Sequence, residues 1–170
     1  SEFDVMLPCP VCSERIADST LRIGYVHRGI ERLCQERNYV QNVQLLERVC
    51  GICSHVHTTT YCQGVEALLG LEVPPRGLYL RAMLCELERI HSHLLWAGLA
   101  GHFIGYNTVF MWAWKYREPV LDLFEMITGN RNSYAMFKVG GVRRDIENSK
   151  IPDIEKVLAL VKKKTELLTG

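Results

Sequence analysis

Cys50 and Cys53 stand three residues apart in the run Glu47-Arg48-Val49-Cys50-Gly51-Ile52-Cys53-Ser54-His55-Val56-His57, with an arginine before them and histidines after. Thiolates select soft or borderline metal ions, and Gly51 lets the backbone turn tightly enough for both sulfurs to approach one centre. A second pair stands at Cys9 and Cys12. Four thiols in two Cys-x-x-Cys pairs suit structural zinc, an iron–sulfur cluster or a nickel–iron centre. His57 lies four residues beyond Cys53, about one helical turn on, where its imidazole can face that sulfur and tune it by hydrogen bonding; an ordinary helix histidine capping a turn is the plainer account. His55 falls elsewhere on the helix and reads as incidental.

These side chains need elements to place them. Residues 16–23 are short, mixed and partly β-branched, which predicts a strand ahead of the His27-Arg28-Gly29 turn. Apolar positions over 30–46 have a loose helical spacing, interrupted by a polar run at 35–38, which predicts two short helical pieces. Ser54 is the expected cap of a helix running to about Leu69, with Gly70 as its stop. That puts Cys50 and Cys53 at a helix N-terminus, where partial positive charge favours thiolate over thiol. Pro74-Pro75 opens a long, largely buried helix ending near Gly101 or Gly105. Its stripe is Leu80, Leu84, Leu87, Ile90, His91, Leu94, Leu95 and Gly98, with Arg81, Glu88 and Arg89 off the stripe. A further apolar segment over 109–127 stops at Gly129, and Pro119 is expected to kink or divide it. After Pro152, apolar and charged residues alternate at amphipathic helical spacing.

Other residues carry weaker signals. His91 and His93 are two apart and face different sides of a helix, so they make a poor metal pair; one is expected buried and hydrogen-bonded, the other near a subunit contact. Arg143, Arg144 and Asp145 follow Gly140-Gly141 and suit either a loop that touches a partner or a salt-bridged turn. Trp96, Trp112 and Trp114 read as helix-packing residues, and Cys34, Cys62 and Cys85 as small buried apolar ones.

At 170 residues, 48% hydrophobic and 23% charged, the chain has the composition of one globular domain with a sizeable core. Its parts are an N-terminal Cys-x-x-Cys segment at 1–20, a core at 21–150 and an amphipathic C-terminal helix at 151–170. A net charge of +1 and a pI near 7.6 offer no bulk attraction to nucleic acid. No apolar run approaches the roughly 20 residues that span a bilayer, and Ser1-Glu2-Phe3-Asp4 lacks the basic and apolar regions of a signal peptide. The chain reads as soluble and cytoplasmic. Its seven cysteines then read as reduced, with four of them ligating.

Four stretches in order carry a family resemblance over residues 21–146: Arg22-Ile23-Gly24-Tyr25-Val26-His27-Arg28-Gly29-Ile30-Glu31, the Glu47 to His57 run, Glu86-Leu87-Glu88-Arg89-Ile90-His91-Ser92-His93-Leu94-Leu95, and Gly140-Gly141-Val142-Arg143-Arg144-Asp145-Ile146. They resemble the large subunit of [NiFe] hydrogenases, in the energy-converting, membrane-bound group related to the quinone-side subunit of respiratory complex I. The resemblance implies a mainly α fold, a helical bundle with a small N-terminal strand and loop region. It implies reversible interconversion of dihydrogen with two protons and two electrons at a nickel–iron centre whose iron carries carbonyl and cyanide. Cys50 would be a terminal nickel ligand and Cys53 a bridge. Arg28 and Glu31 would sit close to the metals: a guanidinium keeps its proton and suits orientation, whereas Glu31 can shuttle protons, and a structural Arg–Glu pair explains the two equally well.

Members of this family place their second Cys-x-x-Cys near the C-terminus, and here the similar run Leu7-Pro8-Cys9-Pro10-Val11-Cys12 stands first. Either the chain is permuted and shortened, with Cys9 and Cys12 completing the metal site, or that run is an unrelated N-terminal feature. Family members are also typically twice as long or more, so the chain reads as a fragment or an engineered minimal version. Leu7-Pro8 replaces the usual Asp-Pro, the N-terminal stretch that supplies a proton-transfer glutamate in the family is not found, and Phe103 stands where some relatives have an aspartate. Electrons would leave through iron–sulfur clusters of a small subunit, and membrane subunits would hold the complex peripherally at the cytoplasmic face. The competing class is a zinc-binding or metal-free scaffold that serves assembly.

Overall fold

In the computed structural model the described residues are 11–12, 15–16 and 20–169, with side chains described from 20 to 166. Asn38 decides where the first helical stretch breaks. Its backbone is extended, its side chain accepts the Gln41 N–H, and the Gln41 side chain accepts the Asn38 N–H in return, a reciprocal cap that starts a new helix. The expected two pieces are therefore α1 (Ile30–Gln35) and α2 (Tyr39–Glu47). Next comes α3 (Ser54–Leu69), which ends at Gly70 in the left-handed region, φ +63°, where a side chain would be strained.

The bundle is built on α4 (Pro75–Phe103), a 29-residue helix with Pro75 in its first turn, and α5 (Asn107–Thr128), which returns antiparallel to it. Two glycines set how closely they approach. A Cβ on Gly98 would lie 3.1 Å from Ala113 Cβ, and one on Gly101 would lie 3.0 Å from Val109 Cβ, so at this end α5 rests against bare α4 backbone. Of the two effects expected of Pro119, division of the helix does not occur: α5 runs through it to Thr128. The proline removes one backbone hydrogen bond, but Arg131 pairs with Glu118 and Asp122 on either side of it, and the helix is clamped along α4.

The apolar faces meet in one core of Leu84, Leu87, Leu94, Val120, Phe124, Tyr134 and Phe137, extended by Ile154 and Val161 of α6 (Ile151–Thr169), which lies on α5. The architecture is mainly α, with six helices and two small hairpins among the described residues. One hairpin, β1 (Val11–Cys12) with β2 (Arg15–Ile16), includes only the first residue of the predicted strand. Residues 20–24 form no strand; Leu21 and Ile23 are exposed, so no buried face rewards pairing there. The other hairpin, β3 (Phe137–Lys138) with β4 (Gly141–Val142), was not anticipated. Its glycines, at φ +84° and +141°, make the tight turn, and it packs on α3 and α4.

Arg81 explains why the hairpin sits there. Expected off the buried stripe, it is 3% exposed and forks onto Glu66 of α3, Nη1 to Oε2 at 3.0 Å and Nη2 to Oε1 at 2.6 Å, while donating to the carbonyls of Lys138 and Gly141. Glu66 also accepts the Gly140 N–H. The bond to Arg81 holds the Glu66 carboxyl below its ordinary range. Two further expectations fail at the surface: Trp96 and Trp112 are exposed, leaving Trp114, half-buried, as the packed tryptophan. Cys62 is fully buried as expected, but Cys34 and Cys85 are only half-buried.

Leu87, 2% exposed, sits in the centre of the α4 face. Leu87→Ala should cost about 2–5 kcal/mol in chemical denaturation, the range for truncating a buried leucine. A loss under about 1 kcal/mol would show that this face is not the core.

Candidate metal centre

The turn after Cys50 folds back on its sulfur. The N–H groups of Ile52 and Cys53 point at Cys50 Sγ from 3.4 and 3.3 Å, and Cys50 is buried while Cys53 is half-buried. One turn into α3, His57 brings Nε2 to 3.4 Å from Cys53 Sγ. Among the described residues, Cys50, Cys53 and His57 form a group whose ligand atoms all lie within 4.8 Å of one another. Burial lowers the His57 pKa below its ordinary value, which keeps the imidazole neutral and able to accept a proton or a metal. Two thiols and a neutral imidazole are a donor set for a soft or borderline ion, and the residues present fit nickel or zinc.

Charged side chains from other elements hold both ends of this turn. On the entering side, Arg28 donates Nη1 to the Arg48 carbonyl at 2.8 Å and Nη2 to the Val49 carbonyl at 2.6 Å. On the leaving side, Glu88 of α4 accepts the N–H groups of His55 at 2.8 Å and Val56 at 3.2 Å, and the Ser54 hydroxyl at 3.3 Å. Ser54 is thus not the cap that was expected. It is the first residue of α3, and Cys53, in the cap position, makes no side-chain capping bond. Glu88, placed off the stripe by the sequence reading, is 1% exposed, and burial pushes its carboxyl up to about 7 against the pull of its three donors. Glu47, also buried, accepts the N–H of Ala135, whose backbone sits at φ +49°, and so ties the entry to the turn to the 134–137 segment.

Two histidines form the wall behind. His55 is fully buried, stacked at 4.3 Å on the rings of both Tyr134 and Phe137, with Nδ1 3.8 Å from Glu88. It is no incidental residue. His91 is also fully buried, as expected of one of its pair. Its Nδ1 faces Arg117 Nη2 at 3.2 Å, and since arginine only donates, Nδ1 accepts and the proton sits on Nε2, which meets Tyr134 Oη at 3.2 Å. The ring also faces the Ile52 main chain, within the Cys50–Cys53 turn. His93 is exposed.

The other candidate residues lie elsewhere. Glu31 has an 83% exposed side chain, with His27 at 3.9 Å, and it forms no pair with Arg28. Arg143 donates to the Ala135 carbonyl, Arg144 to the Thr128 carbonyl, and Asp145 accepts from Arg76, 69 residues back along the chain. Phe103 is 80% exposed at the end of α4. The side chains of Cys9 and Cys12 lie outside the described residues, so their convergence with Cys50 and Cys53 remains a proposal.

Comparison with known proteins places this geometry. Residues 28–98 match the family model "Nickel-dependent hydrogenase", and residues 104–169 match "Respiratory-chain NADH dehydrogenase, 49 Kd subunit". The membrane-bound hydrogenase subunit alpha of Pyrococcus furiosus is 51% identical over 133 residues, 78% of this chain and 31% of that protein. Hydrogenase-4 component G of Escherichia coli is 45% identical over 137 residues, 80% of this chain and 25% of its own length. The chain belongs to the hydrogenase and complex I large-subunit family. A solved structure of the membrane-bound sulfane sulfur reductase, an archaeal respiratory membrane complex, superposes with a TM-score of 0.85 at 32% identity, covering 89% of this chain and 41% of that one. The chain thus spans a quarter to a third of these two hydrogenase relatives. The nickel-dependent hydrogenase match contains Arg28, Glu31, Cys50, Cys53, His57 and Glu88 together.

Within this family member the buried titratable groups fix a pH response. Burial lowers His55 to about 3 and His91 to about 4, and moves His57 in the same direction, so all three are neutral when folded and protonate more readily when unfolded. Their contribution is present above the ordinary value of 6.5 and is lost as the pH falls. Glu88, raised to about 7, acts oppositely, since its contribution falls as the pH rises from 4.5 to 7. More histidine protons than carboxyl protons are at stake, so the melting temperature should fall on acidification from pH 6.5 to 4.5. His91→Gln should make that dependence shallower and Glu88→Gln steeper; a flat profile that neither variant alters would contradict the buried neutral histidines.

Proposed function

We propose that this chain contributes the Cys50–Cys53 half of the catalytic centre of a [NiFe] hydrogenase large subunit, an oxidoreductase for dihydrogen and protons. The observation that carries the reading is the convergence of Cys50, Cys53 and His57 within 4.8 Å, inside the residues that match nickel-dependent hydrogenases. A nickel–iron centre, its iron carrying carbonyl and cyanide, supplies the reversible interconversion of dihydrogen with two protons and two electrons when bound. Cys50 and Cys53 would hold it, with Cys9 and Cys12 as the further pair.

The chain's own residues bind, orient and seclude. Cys50 presents a sulfur already met by two N–H groups, and His57 Nε2 fixes the direction of Cys53 Sγ. Arg28 holds the approach to Cys50 through two carbonyls, a role for which a permanently charged fork is suited. His55, His91 and Tyr134 close the inner side against water. Glu31, exposed beside His27, is proposed only to exchange protons with the bulk, and it takes no part in holding the turn.

The partners that follow are a small subunit with iron–sulfur clusters, to accept electrons, and membrane subunits. Similarity to a membrane-bound hydrogenase and to a respiratory membrane complex supports the second. Among the described residues no helix is long and apolar enough to cross a membrane. On this reading the chain sits peripherally at the cytoplasmic face, held there by the membrane subunits.

Metal analysis of anaerobically produced protein tests the proposal, with infrared spectra for iron-bound carbonyl and cyanide. Nickel and iron should both be retained. Cys50→Ser should lower nickel at least tenfold with unchanged circular dichroism, because a hydroxyl is a harder and far less acidic donor than a thiol. Zinc at full occupancy with no nickel would replace this reading by that of a zinc-bound scaffold.

A further inference from the structure

We infer that Glu88 is the positioning residue of the cysteine turn: from α4 it holds the first turn of α3 in the geometry that sets His57 against Cys53. The inference rests on reading that turn as a metal clamp. A helix leaves its first N–H groups without partners inside the helix, and a neighbouring side chain normally satisfies them. Here the cap position is Cys53, which makes no such bond. The first backbone bond of the helix, from His57 N–H to the Cys53 carbonyl, is long at 3.4 Å. The backbone alone therefore holds weakly the very turn that separates the sulfur from the imidazole.

Glu88 makes up the difference. Both its oxygens are used, Oε1 for the His55 N–H and Ser54 hydroxyl and Oε2 for the Val56 N–H, and it stands 32 to 34 residues away along the chain. It stands one residue beyond Leu87 on the buried side of α4 and is itself 1% exposed. Because the acceptor comes from the core helix, α3 is fixed in register against α4 as well as capped. A local serine or aspartate would satisfy the same N–H groups and leave that register free. Glutamine in place of Glu88 keeps an oxygen for the amides, whereas alanine leaves them with none.

The test is a nickel(II) titration of the reduced full chain, followed by its thiolate-to-nickel charge-transfer absorption. Glu88→Ala should bind at least tenfold more weakly than the parent with the same helicity, and Glu88→Gln should stay within about threefold of it. Equal affinity in Glu88→Ala overturns the inference. A parent chain with no thiolate–nickel absorption refutes the metal reading itself, and Glu88 is then judged by alkylation of Cys53 with iodoacetamide, read by peptide mass. Glu88→Ala should react at least fivefold faster and Glu88→Gln at the parent rate; equal rates in all three overturn the positioning role. Should Glu88→Ala not fold, amide exchange in the parent decides the matter, since unprotected His55 and Val56 N–H groups would show that the carboxylate does not hold them.

Discussion

A short turn that must aim two sulfurs and an imidazole at one point cannot be held by hydrogen bonds of its own, because most of its backbone groups lie beyond the reach of either flanking helix. The rest of the structure depends on how that shortage is met. Arg28 takes the carbonyls just before Cys50, and Glu88 takes the N–H groups just after Cys53. Each sign of charge meets the backbone dipole it complements. The cationic anchor is exposed and the anionic one is buried, so the second is the more costly to desolvate and the more rigid once formed.

Buried polar side chains recur along α4. Arg81, Glu88 and His91 share the face that carries Leu84 and Leu87, and each reaches a different piece of chain: Arg81 the hairpin and α3, Glu88 the start of α3, His91 Tyr134 and Arg117. Such groups cost stability unless fully bonded, and they fix one arrangement of neighbours because few others satisfy them. Apolar residues on α4 supply the driving force for packing, and its polar ones decide what packs where.

This division explains what could be read in advance. The helices at 54–69, 75–103 and 107–128 follow from apolar spacing with proline and glycine limits, and the two short pieces before them from the polar break at Asn38. The pairing of Cys53 with His57 follows from a four-residue step on a helix. Glu88 and Arg81 escape a reading of the sequence because charge ordinarily marks the solvent face. Yet 81, 84, 88, 91 and 94 are three or four apart throughout, and that spacing, in view from the start, argued for one buried face. The β3–β4 hairpin is too short to show alternation, and it exists because the Arg81–Glu66 pair grips its carbonyls and turn. His55 looked incidental because the aromatic rings that enclose it come from residues some 80 positions later.

Those long separations have a kinetic meaning. The α4–α5 hairpin is made of contacts close in sequence and needs little loop closure, whereas Glu47 meets Ala135 across 88 residues and Ser54 meets Asn132 across 78. Chain entropy delays distant contacts until local ones have formed. The inner wall of the cysteine turn is thus expected among the last parts of the molecule to close, and until it does the two thiols face solvent. That interval leaves the thiols open to oxidation, so the order of folding sets a window in which they must be kept reduced.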